Sequence, residues 1–239
     1  MKKLILCICF VLFVYSIVKG ETIFSEDFTV DPGWTSTEPE NIGWDPSHGN
    51  PPGCFRARVS DNPSFWPQWG YSPAFQQVSN RSFTLEFDMN PVNPSYGTYP
   101  MLGLIEEGAA NPWFDRALSV GVEKADEFPQ NFVIRGPIYD HSPELQVGEW
   151  YHQRLDYNAG SHSLGWEIFD SVGGLFYNAA YTNITIAPFN QVVVGYEGDD
   201  PVYGTGWAEI YVDNINIIPE PATLILLALG GIILRKSQK

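Results

Sequence analysis

Glu86-Phe87-Asp88-Met89-Asn90 sets two carboxylates and an amide at every second position of a short segment. In an extended strand that spacing sends all three side chains to one face, because successive side chains alternate. Two carboxylates about 5 Å apart can cleave a glycosidic bond with retention, one as nucleophile and the other as acid and base. An amide at Asn90 cannot donate and recover a proton near neutrality. No catalytic residue is therefore assigned, and the trio reads as the polar face of an ordinary strand. Other reactive types are sparse. His48, His141, His152 and His162 are not paired with one another, or with cysteine, at the spacing of metal ligands. No nucleophile elbow, Ser/His/Asp arrangement or phosphate-cradling glycine loop is present.

Two further constellations could hold a ligand. Between residues 207 and 218 the apolar positions run Ala208, Ile210, Val212 and then switch parity to Ile215, Ile217. That switch requires a bulge near Asp213-Asn214. Beside the first strand, such a bulge could set Asp213 with Glu26 or Asp27, a cluster of hard oxygens suited to calcium. The second constellation is aromatic: Trp34, Trp44, Phe65, Trp66, Trp69, Tyr71 and Trp113. Flat rings stack on the apolar faces of sugars while neighbouring Asp, Asn and Gln reach the hydroxyls. The same rings could instead fill a small core beneath long loops. Trp150, Trp166 and Trp207 fall in strand-like runs and read as sandwich core.

The elements that must position these residues follow period two, and long helical periodicity is missing. Phe83, Leu85, Phe87 and Met89 share one face of a strand, with Thr84, Glu86 and Asp88 on the other. Similar runs recur near 22–28, 55–59, 101–106, 118–123, 132–135, 150–157, 164–169, 175–181, 191–196 and 207–217, separated by turn residues such as Val172-Gly173-Gly174. About eleven strands predict an all-β, two-sheet antiparallel jelly-roll sandwich. Residues 31–69 hold seven prolines and four of the eight tryptophans. Proline lacks the amide hydrogen a ladder requires, so this stretch is expected to form long loops at one end of the sandwich.

The ends differ from the middle. Residues 1–20 carry Lys2 and Lys3, an apolar run and a small residue at Gly20, the pattern of a secretory signal peptide. Residues 219–239 carry Pro219-Glu220-Pro221, an apolar run from Ala222 to Leu234 expected to be helical, and the basic tip Arg235-Lys236. Pro-Glu-Pro, short hydrophobic helix and basic tip resemble the PEP-CTERM sorting signal of bacterial surface proteins. The resemblance implies an exosortase-type protease as partner, membrane contact through the C-terminal helix at least in transit, and delivery to the cell surface or extracellular matrix. The exported part, residues 21–218, keeps seven basic against 27 acidic residues, a net charge of about −20. That excludes a nucleic-acid partner, which would need clustered Lys and Arg. Cys54 is the lone cysteine of residues 21–218, so no intramolecular disulfide forms there.

Phe24-Ser25-Glu26-Asp27-Phe28 with Asp31-Pro32-Gly33-Trp34, then Gly148-Glu149-Trp150-Tyr151, and finally Ile210-Tyr211-Val212-Asp213-Asn214-Ile215 resemble segments of concanavalin A-like jelly rolls, the lectin, glucanase and laminin-G-like superfamily. Family 16 glucanases of that superfamily carry Glu-x-Asp-x-Glu on one strand, and Asn90 stands where their acid/base glutamate would be. The expected function is a non-catalytic structural or carbohydrate-binding component of the extracellular polysaccharide or envelope. A divergent glucanase-like hydrolase and a protein–protein adhesion module are the alternatives.

Overall fold

The computed structural model describes residues 22–49, 51–59, 68–93, 98–109, 111–112, 115–124, 130–198 and 208–220. Among them run fifteen strands: β1 (Phe24–Glu26), β2 (Thr35–Ser36), β3 (Ile42–Asp45), β4 (Cys54–Arg58), β5 (Gln68–Tyr71), β6 (Phe83–Asn93), β7 (Thr98–Ile105), β8 (Arg116–Glu123), β9 (Asn131–Arg135), β10 (Tyr139–Glu144), β11 (Tyr151–Asn158), β12 (Ser163–Phe169), β13 (Leu175–Thr182), β14 (Gln191–Gly198) and β15 (Glu209–Pro219). They form two antiparallel sheets. One has eight strands in the order β13-β12-β11-β6-β15-β4-β3, with β1 also paired to β15; the other has seven, β10-β9-β8-β7-β14-β5-β2. The expected all-β two-sheet sandwich is what the chain adopts.

Alternation explains the layers. Phe83, Leu85, Phe87 and Met89 of β6 point into the space between the sheets, as do Leu155 and Tyr157 of β11 and Ile210, Val212, Ile215 and Ile217 of β15. The parity switch on β15 is a bulge between Asp213 and Asn216, with Asn214 at φ 52°. Asparagine tolerates that left-handed geometry. Trp166 is fully buried and donates from Nε1 to Gln153 Oε1 at 3.0 Å. Trp150, by contrast, lies just ahead of β11 and is half-buried.

The proline-rich stretch corrects the expectation of plain loops. It supplies β2 and β3, the outermost strands of the seven- and eight-stranded sheets respectively. Short outer strands need few ladder bonds and tolerate nearby proline. The opposite edges are tied together: Tyr181 and Tyr177 of β13 donate to Asp140 of β10, at 2.7 and 3.3 Å. β15 runs through Pro219, one residue past the expected boundary, and the Glu220 amide still donates to Ser82 O. Residues 1–20 and 221–239 lie outside the described residues, as do the signal peptide and, with Arg235 and Lys236, most of the sorting segment.

Candidate functional site

Gly70 of β5 faces Phe55 and Ile42 of the opposite sheet, so its neighbours Trp69 and Tyr71 face outward. That outward face of the seven-stranded sheet carries a second apolar cluster: Trp69, Tyr99, Met101, Ile105, Val133 and Val193. Strand register arranges the face in rows. One crosses six strands as Trp69, Gly195, Met101, Gly121, Val133 and His141; the next runs Tyr71, Val193, Gly103, Ser119, Arg135 and Tyr139. Two glycines let rings lie flat on neighbouring strands. A Cβ at Gly121 would stand 2.7 Å from Tyr99 Cζ, and one at Gly195 2.6 Å from Trp69 Cε3.

Lying across Gly121, the Tyr99 ring reaches β9, where its hydroxyl donates to Val133 O at 3.0 Å. The Arg135 guanidinium sits 4.2 Å above that ring and 5.3 Å from the centre of the Tyr139 ring. Glu123 Oε2 accepts from Arg135 Nη2 at 2.9 Å and from the Tyr139 hydroxyl at 3.2 Å. Burial works against the Arg135 charge, yet Tyr99, Glu123 and Tyr139 together favour it and hold the group protonated. Tyr139 is 60% exposed, and His141 meets its ring edge-on at 4.8 Å. Beside this stack opens a depression of about 390 Å³ lined by Arg116, Glu123, Arg135, Gly136, Ile138 and Tyr139. An aromatic face, two guanidiniums and one carboxylate around an open hollow can seat a small polar ligand with an apolar side.

The aromatic residues singled out in the sequence divide between the two sides of the molecule. Trp34 packs against Phe28 and Phe55, with ring centres 5.4 and 4.7 Å apart. Trp44 donates from Nε1 to Phe28 O at 2.8 Å and packs against the inter-sheet core. These two brace the core and share no surface with Trp69 and Tyr71, which lie on the far side of the seven-stranded sheet. Trp66 and Trp113 lie outside the described residues, as do Phe65 and Trp207.

Glu86, Asp88 and Asn90 do share a face, the outward side of the eight-stranded sheet, away from the depression. Asp88 binds His152 Nδ1 and accepts from Asn214 Nδ2, both at 2.8 Å. Glu86 lies 3.9 Å from Arg154 Nε, and Asn90 donates to Gly148 O at 3.1 Å. The expected calcium ligands are not gathered. Glu26 accepts from the Phe28 amide, Asp27 from Thr29, and Asp213 from the Asn214 amide. Among the described residues no group of three or more His, Cys, Asp or Glu is placed to hold a metal ion.

Arg116, Glu123, Arg135 and Tyr139 escaped the sequence reading. The available signal was the scarcity of cations: Arg135 closes an apolar run, and an aromatic follows four residues later.

No protein-family model matches the chain, and no curated protein matches it in sequence. Solved structures do resemble it in fold. The winged bean acidic lectin complexed with methyl-α-D-galactose is 12% identical, with a TM-score of 0.52 over 83% of this chain and 98% of that one. The CBM2 module of the evolved Dit of Lactobacillus casei BL23 phage J-1 is 13% identical, with a TM-score of 0.50 over 84% and 96%. A cellulose-induced protein, Cip1, aligns at 10% identity and 0.49 over 81% and 96%. The fold is thus that of concanavalin A-like, legume lectin-like jelly rolls.

Proposed function

We propose that this is an exported, non-catalytic carbohydrate-binding β-sandwich, sorted by its C-terminal segment to the cell surface or extracellular polysaccharide matrix of a bacterium. The depression beside the exposed Tyr139 ring carries the reading. A pyranose laid on that ring buries its C–H face, while Glu123 and the arginines are within reach of its hydroxyls. The likeness in fold to a galactoside-complexed lectin supports it. The non-catalytic part rests on Glu86 and Asp88, which are engaged with Arg154, His152 and Asn214, and on the amide at Asn90. Export and sorting rest on the terminal patterns of the sequence. A panel of soluble polysaccharides run through gels containing the full chain tests the proposal. At least one should be retarded, and Tyr139→Ala should release it without changing the melting temperature. Reducing ends accumulating from a β-glucan, and abolished by Glu86→Gln, would replace the reading with a hydrolase.

A further inference from the structure

β13 is an outer strand without the usual protections. Natural sheets keep their outermost strands from pairing with another chain by shortness, charge, proline or bulges. Three of the four outermost strands follow that rule. β2 and β3 are two and four residues long, and β10 carries Asp140, Pro143 and Glu144 with a register shift between His141 and Glu144. β13 runs eight residues, from Leu175 to Thr182, with no charge, proline or glycine. Its one irregularity lies at its start, where Leu175 pairs with Phe169; from Tyr177 to Thr182 the register with β12 is unbroken. Among the described residues no strand lies on its far side. The strand is also held ready: Tyr181 and Tyr177 donate to Asp140 of the other sheet, and Tyr177 meets Trp166, and Phe176 meets Tyr151, with ring centres 5.3 Å apart. With these core-facing side chains fixed, the strand gives up little freedom when a second strand joins it. Val172, 88% exposed, stands in the turn before it, and Leu175, 55% exposed, is its first residue.

From this we infer that a second copy of this chain pairs with β13, antiparallel, about a two-fold axis at Ala180. Charge points to that occupant. Residues 21–218 hold 27 acidic residues against seven basic, so two copies repel over most of their surfaces. Residues 171–196 contain no Asp, Glu, Lys or Arg, the longest such stretch of that part, and β13 lies within it. There two copies meet without opposed carboxylates. The strand is also its own complement. Asn178, Ala180 and Thr182 are exposed on one face. With Ala180 opposite Ala180 of the second copy, the smallest side chain sits on the axis, where the copies come closest. Asn178 then falls opposite Thr182 of the second copy on each side of the axis, an amide facing a hydroxyl in both cross-strand pairs. Asn183, at φ 62°, ends the strand beyond Thr182, so the ladder closes where these pairs do. Such a contact uses the same patch on both copies and stops at two.

Sedimentation velocity of the full chain over a roughly hundredfold range of concentration reads the association. Wild type should double in mass as concentration rises. Ala180→Lys and Ala180→Glu should each keep the monomer mass over the same range, because like charges directly opposite on paired strands repel. An equimolar mixture of the two variants should recover the doubled mass, since residue 180 faces its own counterpart across the axis. A wild type that stays monomeric throughout, a doubling that survives Ala180→Lys, or a mixture that fails to associate would overturn the inference; the second of these would place the contact elsewhere on the chain. Ala180 is exposed, so the far-ultraviolet dichroism and melting temperature of each variant should match those of wild type at the lowest concentration, and a lost dimer then reports the edge and not the fold.

Discussion

Arg135 and His152 sit on opposite faces of the sandwich and meet carboxylates under different conditions. The Arg135 side chain is only 10% exposed, so its bond to Glu123 forms where water competes little, and losing Glu123 would strand a buried charge. His152 is 43% exposed on its side chain. The bond to Asp88 raises its pKa above the usual histidine value against an opposing effect of burial, with the charges of Asp88 and Glu86 adding to the rise and Arg154 subtracting. A group whose pKa is raised on folding stabilises the fold below its unfolded value, near 6.5, and loses that contribution as pH climbs through the folded value. Wild type should therefore melt higher at pH 6 than at pH 8 relative to His152→Gln. The difference should stay under about 1 kcal/mol because exposed pairs are screened. A parallel pH dependence in both proteins would remove His152 as its source. Cys54 lacks even this sensitivity: burial, with Asp45 and Asp213 nearby, drives its thiol pKa up, so it behaves as a small apolar side chain.

At the level of the strand, β8 decides whether the site exists. Gly121 leaves room for Tyr99 to cross to β9, and a Cβ there would press on Pro100 O as well as on Tyr99 Cζ and Met101 Cβ, each 2.7 Å away. Backbone cannot yield as a flexible side chain does, so Gly121→Ala should lower stability by about 1–3 kcal/mol, read from the urea midpoint. It should also weaken saccharide binding by displacing the ring beneath Arg135. A midpoint equal to wild type would mean that the crossing is not as tight as drawn. Strands such as β6 and β15 were legible in the sequence because one of their faces meets solvent; hydrophobic alternation and the parity switch at Asp213-Asn214 then follow directly. β9 was found as a strand, but all five of its residues are buried, so alternation could not show that Val133 and Arg135 look away from the core. The outermost strands β2 and β10 were hidden for another reason. β2 is two residues long, and β10 carries Pro143 within a register shift between His141 and Glu144. The aromatic reading of the loops found Trp69 and Tyr71 on the relevant face, but composition could not tell them from Trp34 and Trp44, whose rings the core takes up.

Across the described residues, Ile23 and Phe24 at the N-terminal side meet Ile217 near the C-terminal side on the eight-stranded sheet. The Ile23 amide donates to Ile217 O at 2.9 Å, Phe24 pairs with Ile217, and the Glu220 amide reaches Ser82 O. β15 is therefore held on both sides, by β1 and β6, through its last turn of residues, and Ile215 and Ile217 are fully buried there. The candidate site lies on the outward side of the other sheet, so a tether at Glu220 would leave it unobstructed. The described part should stand without the flanking segments, because its outermost backbone bonds run from the Ile23 amide at one end to the Glu220 amide at the other. A fragment spanning Thr22–Glu220 is expected to melt cooperatively at the temperature of the full chain and to bind the same saccharides. Ending the fragment at Asp213 would strip β1 of its partner, leave the edge of β6 from Phe83 to Glu86 unpaired, and remove Ile215 and Ile217 from the core. That shorter fragment should show no cooperative transition in a thermal scan; a sharp one would mean that the tail of β15 is dispensable and that the core closes by other contacts.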